Sequence, residues 1–139
     1  MKNVMKTLML LIFGSFSMSA QISQPLVAKV PFDFSAGFKS FPAGEYKVLP
    51  GPVKGIVTIG SSDGKITGFV SSLGTISLRA QTHSRLIFNR YGNQYFLSQI
   101  WIEGTTSGAE LYQTPAEREA ALKAAAARTS IIASKHSQK

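Results

Sequence analysis

The chain has 139 residues, with 15 lysines and arginines against 7 acids, and no cysteine. That length supports a single hydrophobic core. The missing thiol excludes disulfides, thiolate metal sites and cysteine nucleophiles, and it argues against the cysteine-borne lipid anchor of a lipoprotein.

The first twenty residues have the three-part layout of a secretory signal. Lys2 and Lys6 are basic, Leu8 to Phe16 supplies a short apolar run, and Ser17, Ser19 and Ala20 are small residues at a cleavage site. Cleavage after Ser19 satisfies the small-x-small rule. Cleavage after Ala20 would put Met18 at the minus-three position, and both sites stay open. The apolar run is too short for a permanent membrane anchor. A mature protein of about 119 residues, periplasmic or extracellular in a bacterium, is expected. Its net charge falls from +8 to +6 once the two lysines are removed, because 13 basic residues remain against 7 acids. For an exported domain the matching anions are lipid head groups or acidic glycans, although dispersed surface lysines also serve solubility.

Residues 21–113 read as an antiparallel β-domain. Ala28, Val30, Phe32 and Phe34 alternate with polar residues, the period of a half-buried strand, and Pro31 suggests an edge or a bulge. Pro42-Ala43-Gly44 turns the chain into a strand with Tyr46 and Val48 on one face, and Pro50-Gly51-Pro52 ends it. A type I′ turn at Asp63-Gly64 would pair Val57 with Val70 and Ile59 with Gly68, collecting Val57, Ile59, Ile66 and Val70 on one face. After a loop at 72–74, Ile76, Leu78 and Ala80 alternate again. A Gly92-Asn93 turn pairs Phe88 with Leu97, Arg90 with Tyr95, Leu86 with Gln99 and Arg85 with Ile100. Leu86, Phe88, Leu97 and Trp101 then share one face, and Ile87, Phe96, Ile100 and Ile102 share the other. A ribbon apolar on both faces is covered on both faces, by the terminal helix or by a partner.

Thr114-Pro115-Ala116-Glu117 is a capping box with proline at the first helical position. It predicts a peripheral helix over 114–134, supported by alanine propensity and a Glu119–Lys123 pair, with Leu122 as its main docking residue. Residues 135–139 are expected to be a disordered tail. Deletion of everything after Gln113 should then cost little stability.

No arrangement points firmly to catalysis. Gly60-Ser61-Ser62-Asp63-Gly64 matches G-x-S-x-G, but that nucleophile needs a strand-to-helix elbow, and a strand follows here. His83 and His136 are far apart and have no metal-ligand pattern around them. Asp33 and Glu45 could approach across strands as a carboxylate pair, a geometry that any small β-domain offers. No catalytic residue, cofactor or metal is therefore assigned. Arg79, Arg85 and Arg90 with Tyr91, Tyr95 and Trp101 form the one basic-aromatic cluster, a candidate surface for a ligand or partner, with Arg90 against Tyr95 as a cation–π pair. An envelope protein, an anionic glycan or a lipid fits it. The RNA-recognition signature is absent, so nucleic acid does not.

Three stretches carry a resemblance: Val30-Pro31-Phe32-Asp33-Phe34 leading to Phe41-Pro42-Ala43-Gly44-Glu45-Tyr46, Leu86 to Leu97, and Glu110-Leu111 with Ala116-Glu117-Arg118-Glu119. Together they resemble a group of small exported proteins of acidobacteria and similar soil bacteria, for which no activity, cofactor or catalytic residue is assigned. The Pro-Ala-Gly-x-Tyr element alone resembles the start of a strand in carboxypeptidase-regulatory-like sandwich domains, where it comes late rather than early.

The expected fold is all-β and mainly antiparallel, a small barrel or sandwich of about six to eight strands with one C-terminal helix. The expected function is an exported non-catalytic binding or structural module. The alternative is a carrier holding a small apolar ligand in a barrel lined by Tyr46, Phe88, Leu97 and Trp101, and a small hydrolase is the third possibility. The oligomeric state is not legible.

Overall fold

The computed structural model describes residues 25–51 and 53–135; the expected signal peptide and residues 136–139 lie outside this range. Among the described residues there are ten strands and one helix: β1 (Leu26–Val30), β2 (Phe34–Ala36), β3 (Lys39–Phe41), β4 (Gly44–Pro50), β5 (Ile56–Ser61), β6 (Thr67–Ile76), β7 (Ser84–Tyr91), β8 (Gln94–Trp101), β9 (Ser107–Leu111), α1 (Pro115–Lys123) and β10 (Ala126–Lys135).

Eight of the strands close a barrel in the order β8-β7-β10-β1-β4-β5-β6-β9, with β9 pairing back onto β8. Every pair in this ring is antiparallel. Closure gives every strand of the ring a neighbour on both sides over part of its length, so no strand is wholly an edge. β9 covers the free side of β8 only from Gln99 to Trp101. Nearer the start of β8, β2 takes its place through a parallel pairing of Ser35 with Phe96, and β3 pairs outside β2.

The alternation in each strand decides what faces inward. Leu26, Ala28 and Val30 of β1, Tyr46 and Val48 of β4, Val57 and Ile59 of β5, and Leu86 and Phe88 of β7 are all buried in one core. Each such side chain, fully buried, stabilises by roughly 1.5–3 kcal/mol. The β2–β3 hairpin plugs one end. Phe34 stacks on Phe41 with centroids 5.2 Å apart, and both meet Tyr46 edge-on. Phe32 lies against Tyr95 at 3.8 Å and edge-on to Phe88 at 5.0 Å. The Tyr46 hydroxyl donates to the Pro42 carbonyl, and the Asp33 carboxylate accepts from the Ala43 N–H at 2.8 Å, so the Pro-Ala-Gly turn is clamped from both sides. β1 is paired with β4 along its whole length but with β10 only at Leu26 and Val27, so Pro31 follows a stretch, Ala28 to Val30, that has one unpaired side.

The β5–β6 hairpin has the expected register, Val57 with Val70 and Ile59 with Gly68. Its turn is not type I′, because Asp63 does not take a positive φ and only Gly64 does, at +76°. The Gly64 N–H closes onto the Ser61 carbonyl at 2.9 Å, and Ser61 and Asp63 brace the turn with side-chain bonds. β6 runs unbroken through residues 72–74, where it changes partner from β5 to β9, and the strand expected at Ile76 to Ala80 stops at Ile76.

In the β7–β8 hairpin the expected pairs hold from Phe88–Leu97 to the turn and fail beyond it. A bulge between Ile87 and Phe88 leaves Ser98 without an opposite residue, so Leu86 faces Ile100 and Arg85 faces Trp101. A one-residue slip exchanges faces. Ile100 therefore joins the interior with Leu86, Phe88 and Leu97, while Trp101 turns outward. It is still buried, because Gly108 on β9 lets the indole lie against bare backbone: a Cβ there would sit 2.7 Å from the ring.

The C-terminal region departs most from expectation. The helix ends at Lys123, Ala124 is extended at φ −150° and ψ 150°, and Ala126–Lys135 is a strand. β10 pairs along β7 from Ala126–Tyr91 to Ala133–Ser84, and its last residues reach β1. Residues 114–134 are thus not one peripheral helix, and Lys135 is part of the barrel. Leu122, the expected docking residue, is exposed; Ala120 docks instead, on Tyr91 and Phe96 on the outside of the β7–β8 ribbon.

Candidate functional site

Strand direction divides the barrel into two ends. The plugged end carries the β2–β3 hairpin, the turns at Ser62–Lys65 and Gly92-Asn93, and the approach to α1. The opposite, open end carries the start of β1, Gly51 and residues 53–55, the 77–83 segment, the 102–106 loop and the end of β10.

The interior offers no wide bore. Tyr46, Phe41, Phe88, Ile59, Leu86 and Val30 are all less than 2% exposed and fill it from the plugged end. At the open end the filling stops short. A mouth of about 460 Å³ remains, floored by Leu26, Val48, Val57 and Ile100 and rimmed by Leu49, Val53, Ile102 and Ala109. Its only charged lining residue is Lys54. Gly51 and residues 53–55 shape one wall. The Gly51 N–H bonds to the Ile56 carbonyl at 2.7 Å, and a Cβ on Gly51 would lie 2.6 Å from the Ile56 side chain, so the fold-back needs glycine there.

Two further depressions lie toward the plugged end. One of about 610 Å³, between the β2–β3 hairpin and α1, has a mixed lining: Phe34, Phe41, Tyr95 and Phe96 stand beside Asp33, Glu119 and Lys123, with Lys123 bridging Glu119 at 3.5 Å and Asp33 accepting from the Ala43 N–H. The other, about 300 Å³, lies beside Phe38 and Tyr112.

The six residues of the expected basic-aromatic surface separate. Arg90 lies over the Tyr95 ring, 5.5 Å from its centroid, at the plugged end. Tyr91 is next to them in sequence but buried under α1, its hydroxyl donating to Glu117 Oε1 at 3.2 Å. Burial, then the charge of Glu117, pushes the Tyr91 phenol above its ordinary value. Arg79, Arg85 and Trp101 belong to the open end. Arg79 is exposed, whereas Arg85 is half-buried and donates to Gln81 Oε1 at 2.9 Å, with its Nε left without a partner. Trp101 is buried and donates to Gln99. The bulge also removes Trp101 from the lining expected of a carrier, and Tyr46, Phe88 and Leu97 are buried in the core.

The serine at the centre of G-x-S-x-G, Ser62, is on a hairpin turn and bonds to Glu45 at 2.9 Å. His83 is at the other end of the barrel beside Thr82. Asp33 and Glu45 each hold a turn in place. Among the described residues no three of His, Cys, Asp and Glu come together as a metal site, and no helix is long and apolar enough to cross a membrane.

Among the mouth residues, Val53, Ile56 and Ala109 carry no site reading from the sequence, and Ile102 is read there only as part of one face of the last hairpin. Val53, Ile56 and Ile102 stand in a loop or at a strand end, where periodicity carries no signal, and Ala109 is in a five-residue strand with glycine before it. Scans against family models, curated proteins and solved structures return no match to this chain.

Proposed function

We propose that this chain is an exported, non-catalytic binding module that takes an apolar chain at the open mouth of its barrel. One observation carries the reading: the barrel is packed solid from one end and left open and apolar at the other. A mouth of about 460 Å³ falls within the usual range of small-ligand sites, roughly 300–1,000 Å³. A flexible acyl-type chain suits it, because the lining offers contact surface and little directional hydrogen bonding. The reading lies between the two expected from the sequence, since the ligand enters the rim of a filled barrel and is not enclosed within it. The layout of the first twenty residues supports export, as does the resemblance to small exported proteins of soil bacteria. The seryl and carboxylate groups weighed for catalysis, Ser62, Asp33 and Glu45, are bonded into turns.

The test is a titration of isotope-labelled protein with octanoate, followed by amide shifts in solution. Shifts should concentrate at Val53, Ile56, Ile102 and Ala109, and Ala109→Phe should weaken binding at least about tenfold by occupying the mouth. The more conservative Val53→Ser, at an exposed rim position, should weaken it less. Shifts confined to the Asp33–Glu119 depression, or no shifts, would overturn the reading.

A further inference from the structure

The open end exposes a group of large apolar side chains. Val53, Ile76, Leu78 and Ile102 are all at the open end, and Leu78 is fully exposed. They stand on three segments tied together by backbone bonds. The Ser77 N–H donates to the Thr106 carbonyl at 2.8 Å, Gln81 to Thr105 at 3.0 Å, Gly104 to Gln81 at 2.8 Å, and Ser72 to Gly55 at 2.8 Å. The apolar side chains are therefore carried on one braced platform, not on independent loops. Scattered exposed hydrophobes are ordinary, but a braced cluster, of which Val53 and Ile102 line an apolar mouth, marks an interaction face.

Charge is distributed to match. Of the seven acids, Asp33, Glu45, Asp63, Glu117 and Glu119 belong to the plugged end, Glu110 is within β9, and Glu103 alone is on the open-end loops. Lys54, Arg79 and Lys135 stand at that end. The result is an apolar tip with a cationic border, the combination that lets a surface insert shallowly among acyl chains while its cations meet anionic head groups.

We propose that the open end docks on an anionic lipid bilayer, with Val53, Ile76 and Leu78 entering the head-group boundary and Lys54 and Arg79 facing lipid phosphates. The proposal rests on the mouth being a site for an apolar chain, and it adds the source: the chain comes from the bilayer on which the rim sits. Octanoate in lipid-free solution tests the mouth alone, so the two readings can fail separately.

The experiment places one reporter at each end of the full chain. Leu78→Trp and Phe38→Trp both alter exposed side chains, Phe38 being 94% exposed at the tip of the β2–β3 hairpin, so neither should disturb the core. Each protein is mixed with phosphatidylglycerol–phosphatidylcholine vesicles containing brominated acyl chains. Quenching of the buried native Trp101, measured on the unsubstituted protein, is subtracted. Both variants carry the same N-terminal segment, so any affinity of that segment for lipid is common to them. The Leu78→Trp indole should be quenched and the Phe38→Trp indole should not. The double change Lys54→Glu and Arg79→Glu in the Leu78→Trp background should weaken binding at least about tenfold. Equal quenching at both ends, quenching at Phe38→Trp alone, or none at either would overturn the proposal. So would a concentration-dependent blue shift of the Leu78→Trp emission without lipid, which would assign the rim to a second copy of the chain.

Discussion

The Tyr91 hydroxyl and the Glu117 carboxylate, 26 residues apart in sequence, meet in a buried hydrogen bond of 3.2 Å. Glu117 Oε1 also accepts from Asn89 Nδ2 at 3.0 Å. Thr114 does cap α1, accepting from the Glu117 N–H at 3.3 Å, but the glutamate side chain turns to β7 in place of closing the capping box. The helix is thereby fastened to the barrel wall by polar contacts and Ala120, with few apolar ones. Glu117→Ala should leave one buried donor and one half-buried donor without their acceptor and cost about 1–3 kcal/mol. For a domain of this size that is a fall in Tm of about 4 °C per kcal/mol, readable by calorimetry. Asn89→Ala combined with Glu117→Ala should cost less than the sum of the two, because the changes share one interaction.

Truncation after Gln113 should abolish folding. It removes β10, which is hydrogen-bonded to β7 along eight residue pairs and is the link between β7 and β1. Without it two strand edges open and the core around Ala133 and Ile131 is exposed to water. Loss of dispersed amide resonances is expected, together with aggregation. A folded, monomeric product would show that β10 is dispensable.

Alkaline pH should destabilise the fold through Tyr91 and Tyr46. Burial, then nearby carboxylates, raises both phenols above 10.0. The protonated form is thus favoured in the folded chain. The contribution is complete below pH 10 and is lost as pH rises through the elevated values, since the unfolded tyrosines ionise first. Urea midpoints measured from pH 8 to pH 11 should fall above pH 10, and Tyr91→Phe should flatten that fall.

Gly108→Ala should loosen the outer face where Trp101 packs. The added methyl would sit 2.7 Å from the indole and 2.9 Å from the Ile100 carbonyl, and the second of these is backbone that cannot step aside. A cost of about 1–3 kcal/mol is expected. Trp101 is 6% exposed in the folded protein, so its native emission should be blue-shifted and shielded from acrylamide, and the variant should lose part of both properties.

The sequence by itself determined the local features whose causes are local. Alternation at Ala28–Val30 and Tyr46–Val48 identified inward faces, Asp63-Gly64 and Gly92-Asn93 identified hairpins, and Thr114-Pro115 identified the start of a helix. Three things depended on distant partners. The bulge at Ser98 exchanged Ile100 and Trp101 between interior and exterior, and it exists because β8 must pair with β7 while bending to meet β9. The 126–135 segment became a strand although alanines precede it, because two unpaired strand edges on β7 and β1 needed a partner, and Thr129, Ile131 and Ala133 supplied the alternation. The candidate site is a place where packing stops, and its lining comes from strand ends and loops of six strands. Only closure of the barrel brings Leu26, Val53 and Ala109 around one mouth, since their sequence neighbours have no common pattern to reveal it.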